Sequence, residues 1–210
     1  MGASVWLYIV QGIGYGFAAA VQPGPFQAFV ISQTLKAGWR RSLPAALAPL
    51  VSDGPILALV LLVLSQMPAA LQRFLYLAGG LFVLYLARGA YRAWRDFEPG
   101  AALTAQAASS SVLKAATVNL LSPGPYLYWG LITGPILLAG WRQSPAHGIG
   151  FLAGFYVTIV ASLAGIILVF GLARQMGPRV NRALLGVSAL ALAGFGIYQL
   201  WLGLSSWFNL

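Results

Sequence analysis

The sequence predicts an all-α, polytopic membrane protein: six transmembrane helices built as an inverted 3+3 repeat, with the first and fourth helices broken. Three observations carry that expectation. The 210 residues are 60% hydrophobic and only 7% charged, which in a soluble domain would leave far too much apolar surface facing water. Apolar runs of about 20 residues, long enough to cross roughly 30 Å of hydrocarbon, recur along the whole chain. The stretch from Gln22 to Arg40, which contains Pro23-Gly24-Pro25 and closes on Ala-Gly-Trp-Arg, returns between Ser122 and Arg142 with Pro123-Gly124-Pro125 and the same closing turn.

The spans fall at about 4–33, 44–66, 69–92, 113–138, 146–172 and 182–206. The first is over-long because it contains its Pro-Gly-Pro. With no basic residue ahead of it and no evident cleavage site, it is expected to be retained and not removed as a signal peptide. The second carries Asp53, and the third ends in Arg88, Arg92 and Arg95, whose helical spacing suits a cytoplasmic anchoring face. An Ala-, Ser- and Gly-rich segment from about Asp96 to Ser111 then reads as a linker. The fourth span is over-long for the same reason as the first, and Trp201 and Trp207 near the end of the sixth suit an interfacial belt. The organisation expected is a first three-helix repeat over 1–95, a cytoplasmic linker over 96–112 and an inverted repeat over 113–210, all in one transmembrane domain.

Orientation follows from counting cations. Ten Lys and Arg residues lie in the first, third and fifth loops against Arg73 and Arg142 in the second and fourth, so both termini are expected outside the cytoplasm. The net charge of +9 is then a matter of topology and anionic lipid, with no nucleic-acid partner needed. The absence of cysteine removes membrane thiol–disulfide carriers, iron–sulfur proteins and pumps that grip soft metals through thiolates. His147 is the only histidine and falls at an outer interface, where it is more readily incidental than a ligand. Without a Ser/His pair or a His/Glu metal constellation, an intramembrane enzyme is disfavoured, and no cofactor is expected.

Aligning the two Gly-Trp-Arg turns sets Gly38, Trp39 and Arg40 over Gly140, Trp141 and Arg142, with Ser42 over Ser144. An odd number of spans per half forces the copies into opposite orientations, and the charges agree: Lys36 corresponds to Leu138 and Arg41 to Gln143, so the outer copy has lost two cations. Such inverted repeats are a common construction of secondary transporters, which bind substrate near the midplane at discontinuous helices. Proline removes a helical N–H and clashes with the preceding turn, and glycine lets backbones approach closely, so each triplet frees backbone polar groups that must face protein or a water-filled cavity. The half-helices expected to begin at Pro25 and Pro125 would aim positive ends inward, a site for a carboxylate. A single such triplet is more often a kink; two at matched positions favour a site.

Of the three acids, Asp96 and Glu98 fall in the linker, where a solvated role suffices. Asp53, in Val-Ser-Asp-Gly-Pro-Ile, stands about 12 Å into its span by helical rise. Intramembrane acids are costly and mark substrate or proton pathways, and hydrocarbon penalises their ionised form, so Asp53 is a candidate to exchange a proton. The aligned residue is Phe155, so the acid is not a symmetric structural feature; a neutral, hydrogen-bonded Asp that holds helices together is the alternative. Gln22 and Asn119, beside the breaks, are candidates to satisfy freed backbone groups or to reach ligand, with Gln27 and Gln33 weaker cases. Tyr126, Tyr128 and Trp129 follow the second break, with packing as their default role and cavity lining as the alternative.

At these residues the chain resembles the LysE/RhtB superfamily of amino-acid exporters over essentially its whole length. The features are Pro23-Gly24-Pro25, Gly38 with its basic turn, Asp53 after a small-residue stretch, the segment from Gly79 to Trp94, and Asn119-Leu-Leu-Ser-Pro-Gly-Pro opening the second half. The resemblance implies an inner-membrane transporter exporting amino acids or related small zwitterions, with the proton as coupling ion. With Asp53 as the one intramembrane acid, a neutral or broadly selected amino acid is favoured over lysine. The site residues expected are Asp53, Gln22, Pro23, Gly24, Pro25, Asn119, Pro123, Gly124, Pro125 and Tyr126. A passive channel and a non-transporting scaffold remain as alternatives, and the glycine-rich spans admit a homodimer or simply packing within one chain.

Overall fold

Residues 4–63, 69–97 and 106–205 are described by a computed structural model, and every regular element among them is helical. Helix α1 (Val5–Val21) follows Ser4 and stops where the Gln22 N–H closes onto Ala18 O, since Pro23 has no N–H to continue the ladder. Gln22 to Gly24 run extended, and α2 (Pro25–Ala37) starts with proline at its first position and leaves α1 at 67°. It ends at Gly38, whose φ of +84° is costly for any residue with a side chain.

Beyond Gly38, the turn α3 (Trp39–Ser42), a 3-10 segment (Leu43–Leu47) and α4 (Ala48–Val63) follow without interruption, and Pro55 lies inside α4 two residues after Asp53. Helix α5 (Ala69–Arg95) carries Arg92 and Arg95 in its last turn. Helix α6 (Gln106–Leu120) stops at the second break, and α7 (Pro123–Leu127), a π-type segment (Tyr128–Thr133) and α8 (Gly134–Gln143) continue from it. The chain closes with α9 (Pro145–Ala173), capped by the Ser144 hydroxyl, and α10 (Pro178–Ser205).

Among the described residues four helical stretches are long and apolar enough to cross a membrane, and the bent α1–α2 pair, taken as one span, makes a fifth. The expected fourth span, 113–138, does not form one apolar helix: the break after Leu120 divides it into α6, polar at its start with Ser109, Ser110 and Ser111, and the α7–α8 run. Helix α6 also begins inside the expected linker, at Gln106, where Gln and Ala are good helix formers. Glu98, Trp207, the linker residues 98–105 and the end of the second span at 64–66 lie outside the described residues.

Helix α1 lies along α9 and α5 along α10, while α6 rests on α4 and α2 passes between α6, α9 and α10. Large apolar side chains such as Trp6, Leu81, Val157 and Leu190 face outward, as a lipid-facing surface requires. Lipid gives apolar helices little reason to associate, so close backbone approach has to supply the packing. The α1–α9 contact does this through Gly12 and Gly16, where a methyl group would run into the Phe151 and Phe155 carbonyls.

Candidate functional site

A side chain from the half-helix after each break satisfies the backbone that the break frees. At the first, the Gln27 side-chain amide donates to Ala19 O (3.1 Å) and Ala20 O (3.2 Å), the open end of α1. At the second, Tyr126 Oη donates to Leu120 O (2.9 Å), and Ser122 Oγ, one residue ahead of the helix, to Val118 O (2.7 Å). Uncompensated carbonyls of this kind would cost several kcal/mol each in hydrocarbon.

The breaks converge on one cavity of about 320 Å³. Nine of the ten residues singled out from sequence line it: Asp53, Gln22, Pro23, Gly24, Pro25, Asn119, Pro123, Gly124 and Pro125. Tyr126 does not line it; its buried ring and its bond to Leu120 make it a structural residue of the break. Gln22 is exposed, and the backbone-satisfying role considered for it belongs to Gln27. Tyr128 and Trp129 do line the cavity, the less expected of the two roles open to them.

The two copies of Pro-Gly-Pro fold differently. In the first, α2 begins at Pro25 after an uncapped Gly24 (φ −173°, ψ 179°), so the Phe26 and Gln27 N–H groups at its start have no side-chain cap. In the second, the helix begins at Pro123, with Ser122 extended ahead of it, and not at Pro125 as expected. That start has no side-chain cap either, but with prolines at 123 and 125 it leaves only the Gly124 N–H in its first three residues, so the first break alone starts where the sequence suggested and offers two such donors.

Asp53 is 3% exposed, and donors surround its carboxyl group. Asn119 Nδ2 reaches Oδ1 at 2.9 Å and Ser52 Oγ at 2.8 Å, and Trp129 Nε1 approaches Oδ2 at 3.3 Å. The Ser52 hydroxyl lies 3.0 Å from Ala48 O and 3.5 Å from Oδ1. Trp129 sits in the π-type turn, where Thr133 Oγ1 also donates to Tyr128 O at 3.1 Å, and such widened turns recur at functional sites. Its ring packs on Phe155 with centroids 5.0 Å apart, so the residue aligned with Asp53 helps to wall the same cavity. Much of the remaining wall is apolar and aromatic, with Leu127, Ile159, Leu163, Phe195 and Leu202. Among the described residues no Lys, Arg or His lines the cavity, and Asp53 is the one lining group of the charged classes.

Sequence reasoning missed Gln199, which lines the cavity from α10 and is 6% exposed; a polar residue in an otherwise apolar helix was the available signal. It missed Ser52 too, visible only as the residue beside Asp53. His147 stacks on Tyr8 (centroids 4.9 Å apart, 17° between planes), away from the cavity. Asp96 pairs with Arg95 at 2.7 Å on the exposed surface, and that guanidinium holds its carboxyl below the usual range. Among the described residues no three His, Asp or Glu side chains come together to hold a metal ion.

The family model described as LysE type translocator matches residues 17–203. No curated protein and no solved structure matches the chain.

Proposed function

Because the chain belongs to the LysE type translocator family, and so is a multi-pass membrane transporter of solutes, we propose that it exports neutral amino acids or related small zwitterions from the cytoplasm across the inner membrane, by alternating access coupled to inward proton movement. The observation that carries this reading is the convergence of Asp53 and both helix breaks on one cavity. Its volume of about 320 Å³ admits a single small solute.

The chemistry of the walls suits a zwitterion. At the start of α2, the Phe26 and Gln27 N–H groups and the positive end of the helix offer a place for a carboxylate. Asp53, held on both oxygens by Asn119 and Trp129, is the counterpart for an ammonium group. Substrate and proton then compete for one carboxylate: outward release of the amino acid frees Asp53 to take a proton, and its loss to the cytoplasm readies the site for the next substrate. Both exchanges require access to alternate sides, and this reading puts the hinge at the break between α1 and α2, where the two helices meet at 67°.

The test is flux of a radiolabelled amino-acid panel in proteoliposomes, with and without a pH gradient, for the parent and Asp53→Asn. Gradient-driven flux in the parent that the variant loses is the expected result. Equal flux in both would remove Asp53 from coupling; flux indifferent to the gradient would favour a channel; and no flux of any amino acid would overturn the substrate assignment.

A further inference from the structure

The proposed site leaves one buried polar group unused. Gln199 Oε1 has no hydrogen-bond partner among the described residues, although the residue is only 6% exposed and lines the cavity. Several neighbouring polar side chains are already committed: Asn119 to Ser52 and Asp53, Ser122 to Val118 O, Tyr128 to Tyr15 O and Gln27 to the end of α1. An orphaned buried amide oxygen costs about 1–3 kcal/mol, a cost that falls away when a ligand supplies the missing donor.

Gln199 also sits where that donor would be useful. A Cβ placed on Gly79 would lie 3.4 Å from Gln199 Oε1 and collide with the Leu121 carbonyl. The absent side chain on α5 therefore lets the Leu121 carbonyl of the second break pack close to Gly79, and the Gln199 side-chain oxygen lies in contact distance of the same spot. Leu121 is two residues beyond Asn119, whose amide holds Asp53. Helical continuation would need the Leu121 carbonyl to accept from residue 125, a proline with no N–H. The second break is thus rich in acceptors, where the first offers the N–H groups of α2.

We propose that Gln199 is a substrate-binding residue whose side-chain carbonyl accepts a hydrogen bond from the ammonium group of the transported solute, sharing that group with Asp53. This rests on the amino-acid reading above and deepens it. A primary ammonium carries three N–H donors, which the Asp53 carboxylate and a neutral amide acceptor can divide between them. The requirement is for a primary amine; an N-alkylated analogue, with fewer donors, is a poorer ligand. Because Gln199 is neutral, it adds an acceptor without adding the second acid that would draw in a dibasic solute.

The experiment compares the parent, Gln199→Leu and Gln199→Glu in proteoliposomes, using glycine, leucine, N,N-dimethylglycine and lysine. Thermal midpoints of the detergent-solubilised proteins are taken with and without each solute. Gln199→Leu is expected to raise KM for the primary amino acids about tenfold or more, the scale of one hydrogen bond to a charged group, with a smaller change in the saturated rate. Its unliganded midpoint is expected to equal or exceed the parent's, because an orphaned polar atom is replaced by an apolar group, and this separates loss of binding from loss of fold. Gln199→Glu is expected to admit lysine.

A parent that transports leucine, with Gln199→Leu inside twofold of its KM, would overturn the role of Gln199 and leave the exporter reading standing. Tighter binding of dimethylglycine than of glycine by the parent would also overturn it. A parent that neither moves nor is stabilised by any of the four would overturn both readings.

Discussion

The bond between Asn119 and Asp53 can be weighed by a double-mutant cycle. Asn119 Nδ2 lies 2.9 Å from Asp53 Oδ1, and the two residues are 9% and 3% exposed. A hydrogen bond to a charged group contributes about 1.5–3 kcal/mol, and a neutral one about 0.5–1.5 kcal/mol. Asp53→Ala removes the acceptor and leaves Asn119 with Ser52 alone, while Asn119→Ala leaves Asp53 with Trp129 and Ser52. The double variant loses the pair only once, so its destabilisation should fall short of the summed single losses by the coupling energy. With Asp53 ionised, that shortfall is about 1.5–3 kcal/mol. At roughly 2–4 °C per kcal/mol for a chain of this length, it is on the order of 5 °C in the thermal midpoint of the detergent-solubilised protein. The same cycle at several pH values reports the charge on Asp53, because coupling should drop toward the neutral range once the carboxyl holds its proton. Additivity within about 0.5 kcal/mol at every pH would refute the reasoning that Asn119 holds Asp53.

Gln27→Leu keeps much of the side-chain volume but strips the Ala19 and Ala20 carbonyls of their donor; a loss of about 1–3 kcal/mol should appear as a lower melting midpoint, and an unchanged midpoint would deny Gln27 its role at the break. Tyr126→Phe should cost about 0.5–1.5 kcal/mol through Leu120 O yet leave KM within twofold, since the ring lies outside the cavity; a large KM change would return Tyr126 to the site. The chain has no cysteine, so single replacements report topology without background. In intact cells a membrane-impermeant maleimide should label Ala146→Cys and spare Gln175→Cys, both at exposed positions, and the reverse pattern would invert the proposed orientation.

The helical character, the existence of both breaks and the special standing of Asp53 were legible because each breaks a local rule. Two Pro-Gly-Pro triplets interrupt apolar runs, and one acid stands inside another such run. What was hidden depends on contacts between distant segments. The same triplet starts its helix at Pro25 in one copy and at Pro123 in the other. Glycine before proline has no Cβ to fix the choice, so the surroundings decide. Tyr126 looked like a site residue because it follows the break, but its hydroxyl turns back onto Leu120. Gln199 has no echo in the other half, and the neighbours that bring it to the second break, Gly79 and Leu121, lie far away in sequence and close in space.

The departure from symmetry bears directly on substrate class. Two identical half-helix starts in one cavity would set two donor ends against each other, a site suited to a dianion. Here neither start has a side-chain cap, but the first leaves the Phe26 and Gln27 N–H groups in its opening three residues, and the second, with prolines at 123 and 125, leaves only that of Gly124. At the second, Ser122 and Tyr126 satisfy carbonyls of the preceding helix, Asn119 turns to Asp53, and Gln199 brings an unpaired acceptor alongside. The cavity is thereby polarised from donors at one break to acceptors at the other, which matches a solute with an anionic and a cationic end. A double variant tests this polarity: Asp53→Asn together with Gln199→Leu removes the carboxylate charge and the Gln199 acceptor while keeping the α2 start, and should weaken zwitterion binding more than either change alone while leaving a simple monocarboxylate such as acetate bound at least half as tightly as by the parent. If acetate binding collapsed with that of leucine, the α2 start would not be a separate carboxylate site, and the polarity argument would fail.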